Sequence, residues 1–127
     1  MKTGIIFSII ICITLVSGCV YSKSDDLFST TINTCDTSNV KYSVDIVGIL
    51  QTSCYRCHDV NNYATKGGNY RYDIYQPELK AMATNGKLYK AVAHLPGAVP
   101  MPFDGGMISD CSIAKIRAWV NKGAPNN

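Results

Sequence analysis

A chain of 127 residues with no internal repeat has room for one domain of ordinary size and a single small core. Its formal charge of +3 is weak, and falls further if Lys2 leaves with a leader. The basic residues are scattered rather than clustered with aromatics, so the sequence carries no nucleic-acid footprint.

Lys2 precedes an apolar run from Ile5 to Val16, the length of a secretory h-region and short for a bilayer span. Residues 1–18 therefore read as an export signal. The run ends in Leu15-Val16-Ser17-Gly18-Cys19, which resembles the lipobox of bacterial lipoproteins. That resemblance implies cleavage before Cys19, acylation of its thiol and retention at a membrane. An ordinary signal peptide containing a cysteine, or an uncleaved anchor helix, is the alternative. Residues 19–34 follow as a tether, with Ser22, Ser24, Ser29, Thr30, Thr31 and Thr34 around Asp25 and Asp26 and no sustained apolar period. A free coil of about 15 residues has a typical end-to-end distance of roughly 20 Å, enough for a domain to search near a surface. The acidic pair also resembles a surface-export signal of some lipoproteins, and the side of the outer membrane stays open.

The domain is expected over residues 35–127. Ser43 is a candidate N-cap for a first helix carrying Val44, Ile46, Val47, Ile49 and Leu50, whose apolar residues cover more than one stripe and predict enclosure on several sides. Next comes Cys54-Tyr55-Arg56-Cys57-His58, a C-x-x-C-H element of the kind that holds a c-type haem by two thioethers and a proximal imidazole. In a helix these ligands stand at i, i+3 and i+4, so one flat macrocycle meets all three. Zinc would need a fourth ligand, and neither His94 nor Cys111 has ligand-like spacing. Dithiol redox chemistry would call for a strand before the motif in an α/β pattern, which is not visible.

After His58 a stretch of Asn, Tyr and Gly reads as loop through Gly67 and Gly68, with a short extended piece at Tyr70-Arg71-Tyr72. Pro77 opens a helix through Thr84, stopped near Asn85-Gly86, and Leu88 to His94 forms a second short helix. Residues 95–108 are a shaped loop of three prolines and three glycines with Met101 between Pro100 and Pro102. Ser109 offers the cap of a last helix with Ile113, Ile116, Trp119 and Val120 on its apolar face and Gly123 as its stop. Trp119 is read as core.

Six cysteines divide cleanly in an exported chain. Cys12 leaves with the leader, Cys19 takes lipid, and Cys54 and Cys57 take haem. Cys35 and Cys111 remain, which suggests a disulfide tying the domain's entry to its final helix; two unrelated buried thiols are the alternative. Closing a loop of about 77 residues would be worth roughly 4 kcal/mol through denatured-state entropy.

The order of parts over residues 36–127 resembles a small class I cytochrome c: helix, Cys54-x-x-Cys57-His58, central helices, a methionine-bearing loop and a last helix. Pro100-Met101-Pro102, Gly105-Gly106, the Cys111 helix and Trp119-Val120-x-x-Gly123-Ala124 are similar to monohaem cytochrome domains of bacterial lipoproteins. The resemblance implies an all-α domain whose first and last helices cross around one covalent haem c. The family commonly has a glycine and an aromatic where this chain has Ile46 and Leu50, and a proline after the motif whose carbonyl orients the proximal imidazole. No proline lies between His58 and Pro77.

Four side chains are candidates for the sixth iron ligand: Met82, His94, Met101 and Met107. Met82 sits in a predicted helix, where methionine is usually filler, and His94 ends a helical stretch. Met101 alone matches the family's loop position. His58 and Met101 as axial ligands imply a single-electron carrier and not an enzyme, tethered in the periplasm or at the cell surface. Its partners would be a dehydrogenase, a quinol-oxidising complex or a terminal acceptor. The alternatives are an open-site haem enzyme or gas sensor, and a non-redox partner-binding lipoprotein.

Overall fold

The computed structural model describes residues 35–127, and these are helical, with no strand among them. The readings placed on the leader, Cys12, Cys19 and the tether lie outside the described residues. Among the described residues no helix is long and apolar enough to cross a membrane.

A π-helical turn, Tyr42–Ile46, runs into α1, Val47–Ser53, and then into the single turn α2, Tyr55–His58. A second π-helical turn, Tyr75–Leu79, leads into α3, Lys80–Thr84, which is followed by α4, Lys87–Val92, and α5, Asp110–Asn121. Gly86 takes φ +78 between α3 and α4, and Gly123 takes φ +82 after α5, the two stops expected from glycine. Ser109 caps α5, its side chain accepting from the Ser112 amide.

The start of the first helix departs from expectation. Ser43 does not cap it: the helical run begins one residue earlier, and its first amides are satisfied from far along the chain. The Tyr42 amide donates to the Asn127 side chain at 2.8 Å and the Ser43 amide to the Asn127 backbone carbonyl at 2.9 Å. Asp45 turns back to accept from the Lys41 amide at 2.9 Å. Nor is this helix enclosed throughout, since Val44 is exposed.

Ile46, Leu50, Leu79, Ile116 and Trp119 are completely buried and belong to one cluster. Ile46 and Leu50 thus fill, with aliphatic volume, the places where the family resemblance expects a glycine and an aromatic. Tyr42 stacks on Trp119 at 5.8 Å, and Lys115 pairs with Asp45 at 2.6 Å, so α5 packs on the first turn through both a ring contact and an ion pair. Cys35 and Cys111 form a disulfide with a Cα–Cα distance of 5.3 Å, which fastens the domain's entry to α5.

The end of α5 is held by the core beneath it. The Ala124 amide donates to the Trp119 carbonyl and the Gly123 amide to the Val120 carbonyl, each at 2.9 Å, the paired bonds of a Schellman motif. The Trp119 indole donates to the Pro125 carbonyl at 2.9 Å, and the Tyr75 hydroxyl and the Lys80 ammonium both donate to the Ala124 carbonyl. This knot keeps residues 124–127 against the first turn, where Asn127 is needed.

Candidate functional site

The Cys57 and His58 amides both donate to the Cys54 carbonyl, at 3.0 and 2.9 Å, so one helical turn closes over the C-x-x-C-H element. Cys54 itself sits at a break, φ −121, between α1 and α2. Both thiols are free and half-buried. Burial, with a smaller contribution from nearby Cys57, pushes the Cys54 thiol up to about 11. A thiol held protonated is the opposite of the low-pKa nucleophile that disulfide exchange needs.

His58 is buried, and its Nδ1 lies 2.9 Å from the Tyr70 carbonyl oxygen. A carbonyl only accepts, so the bond requires the proton on Nδ1 and leaves the Nε2 lone pair of the neutral ring available to a metal. Tyr72 stacks on the imidazole with centroids 4.5 Å apart and planes 18° apart, and the Tyr72 amide donates to the His58 carbonyl at 2.7 Å. The ring is therefore oriented at one nitrogen and supported on one face. Tyr70 supplies the acceptor that the absent proline left unnamed.

Gly67 makes this approach possible. A β-carbon there would lie 2.4 Å from the Cys57 carbonyl oxygen and 2.9 Å from His58 Nδ1. The loop reaches this point through Asp59, whose carboxylate accepts from the Asn61 amide and from both the amide and side chain of Asn62. Gly67-Gly68 reads in the sequence only as loop, and nothing there points to the imidazole.

Cys54, Cys57, His58 and Met101 line one cleft of about 730 Å³, within the range of roughly 300–1,000 Å³ usual for small-molecule and cofactor sites. Leu88, Ala91 and Val92 of α4 wall it with Val99, Phe103 and Ile108. Arg56 pairs with Asp104 between α2 and the Met101 loop; both side chains are exposed, so the pair contributes about 0–1 kcal/mol. Two unpaired thiols, an imidazole with a lone pair and a thioether around apolar walls form a donor set that fits a covalently held haem. Among the described residues no group of three or more His, Cys, Asp or Glu side chains forms a metal cage.

Of the four candidates for the position opposite His58, Met101 and Met82 line the cleft. Met107 is half exposed and His94 turns elsewhere; neither belongs to the lining. Met82 also packs against the core, so its place in α3 serves both surfaces. The Met101 amide donates to the Ala91 carbonyl at 3.0 Å, which ties the loop to α4.

A scan against models of protein families, a search of curated proteins and a search of solved structures each found no match for this chain.

Proposed function

We propose that the chain is a monohaem c-type cytochrome with the small class I fold, carrying single electrons. The reading is supported above all by one arrangement: Cys54, Cys57, His58 and Met101 share an apolar cleft in which the His58 imidazole is already oriented through Nδ1. Cys54 and Cys57 would hold haem c by thioethers, and His58 Nε2 and the Met101 sulfur would ligate its iron. Bound there, the haem supplies a reversible one-electron iron couple whose reduced form a thioether favours over a second imidazole. The chain's own part is to bind, orient and exclude water; no general acid, base or nucleophile is asked of it. The Tyr70 carbonyl keeps the imidazole in one tautomer and rotation, and the walls of α4 and the 97–103 loop limit solvent.

The same reading makes Cys19 a lipidated residue, places the domain in the periplasm or at the outer-membrane surface, and gives it a dehydrogenase, quinol-oxidising complex or terminal acceptor as redox partner. Denaturing gels of the exported protein, stained for haem peroxidase activity, test the covalent link. Cys54→Ala together with Cys57→Ala should abolish the stained band; an unchanged band refutes the proposal. Met101→Ala should remove the weak red-end charge-transfer band of thioether-ligated ferric haem and admit carbon monoxide to the ferrous form. Loss of the band in Met82→Ala instead would move the ligand to α3 and leave the carrier reading standing. Free carbon monoxide binding by the parent would favour the open-site enzyme or sensor.

A further inference from the structure

α4 ends in the same pair of bonds as α5. The Leu95 amide donates to the Lys90 carbonyl at 2.8 Å and the His94 amide to the Ala91 carbonyl at 3.3 Å, with His94 at φ +51. This left-handed position of a Schellman motif is where glycine is favoured, because a β-carbon there crowds the following carbonyl. α5 uses Gly123; α4 carries a histidine at a conformational cost. Strain kept at one residue directs attention to what its side chain does.

The His94 imidazole turns back to the 95–108 loop, with Nε2 3.1 Å from the Met101 carbonyl oxygen. Since the carbonyl only accepts, Nε2 carries the proton and donates. The Ala91 carbonyl meanwhile accepts from both the His94 and the Met101 amides. Met101 is thus gripped at both ends of its backbone, its N–H by α4 and its C=O by the residue that terminates α4. Pro100 and Pro102 have no N–H, so the Met101 amide is the one backbone donor in that tripeptide. Ala91 itself lines the cleft, so the grip is referenced to the cleft wall.

We propose that His94 is a positioning residue that clamps the Met101 peptide and so fixes the thioether at the cleft, acting through Met101 and not as an iron ligand. This rests on the reading of Met101 as the axial ligand. The test compares the haem-loaded parent with His94→Gly and His94→Gln. Glycine fits φ +51 and removes the donor, so His94→Gly should leave the melting midpoint unchanged or raised. It should still weaken the red-end band, loosen hydrogen exchange at the Met101 amide and speed carbon monoxide entry by roughly two- to tenfold, the population change that one lost hydrogen bond allows. Gln carries a side-chain N–H at the same number of bonds from Cα as His Nε2, and should restore most of the parent's behaviour. A His94→Gly protein with the parent's band, exchange and carbon monoxide rate overturns the proposal, as does one that melts early with ligation unchanged. A parent that lacks the thioether band overturns the ligand reading beneath it. A band lost in His94→Gly but kept in Met101→Ala would mean that His94 does not act through Met101, and would overturn the clamp.

Discussion

The two helix ends at Gly123 and His94 share a backbone conformation and differ in what holds them. At the end of α5 the residue in the left-handed position has no side chain, and the fastening comes from below: Trp119 is fully buried, and Trp119, Tyr75 and Lys80 all donate to carbonyls of residues 123–125. At the end of α4 the residue whose carbonyl accepts from the Leu95 amide, Lys90, is exposed, and the fastening comes from the left-handed residue itself, through its imidazole to Met101. One end is built for stability and the other ties a loop to a cleft. The same local motif therefore serves the core in one place and the candidate site in the other.

The largest test of that contrast is Trp119→Ala, which should cost about 3–5 kcal/mol in denaturant unfolding, because it opens the core and releases the motif above it. No substitution at His94 should approach this. Next comes removal of the disulfide by Cys35→Ser with Cys111→Ser, expected to cost about 2–4 kcal/mol while leaving the surroundings of His58 unchanged by nuclear magnetic resonance.

Smaller again is Gly123→Ala. A β-carbon there meets no atom within 4 Å, so its cost is purely that of φ +82, about 1–2 kcal/mol. Set beside His94→Gly, this is the reciprocal exchange: glycine lost where only the backbone matters, and glycine introduced where the side chain matters. An equal loss of stability from both would dissolve the distinction.

The smallest effect expected is in acid. The Lys115 ammonium, and then the Lys41 amide, hold the Asp45 carboxyl below the ordinary aspartate range. A carboxylate with a lowered folded pKa contributes stability that is fully present above its unfolded value and is lost as pH falls through the folded one. Stability should thus be flat from neutral pH down to the normal aspartate range and decline below it. Asp45→Asn should flatten part of that decline, read from denaturant midpoints across pH.

Several features follow from local sequence because their causes are local. Gly86 and Gly123 stop helices since a left-handed φ costs glycine little, Ser109 caps α5 through an amide three residues on, and C-x-x-C-H sets two thiols and an imidazole on one turn by helix spacing alone. The pairing of Cys35 with Cys111 is the one suggested by the two cysteines left over once the other four are assigned to leader, lipid and haem. Other features had no such signature. The partner of His58 Nδ1 is the Tyr70 backbone carbonyl, a group every residue possesses, so no residue type marks it. Gly67 is required by the close approach of its loop to the Cys57 carbonyl and the His58 ring of α2, and Met82 reaches the cleft from a helix whose sequence reads as core. Asn127 takes the place expected of Ser43 by reaching the Tyr42 amide from 85 positions away, and His94 was legible as a helix end and a rival ligand but not as a partner of the Met101 carbonyl. These depend on where the chain returns in space, which helical periodicity and spacing do not encode.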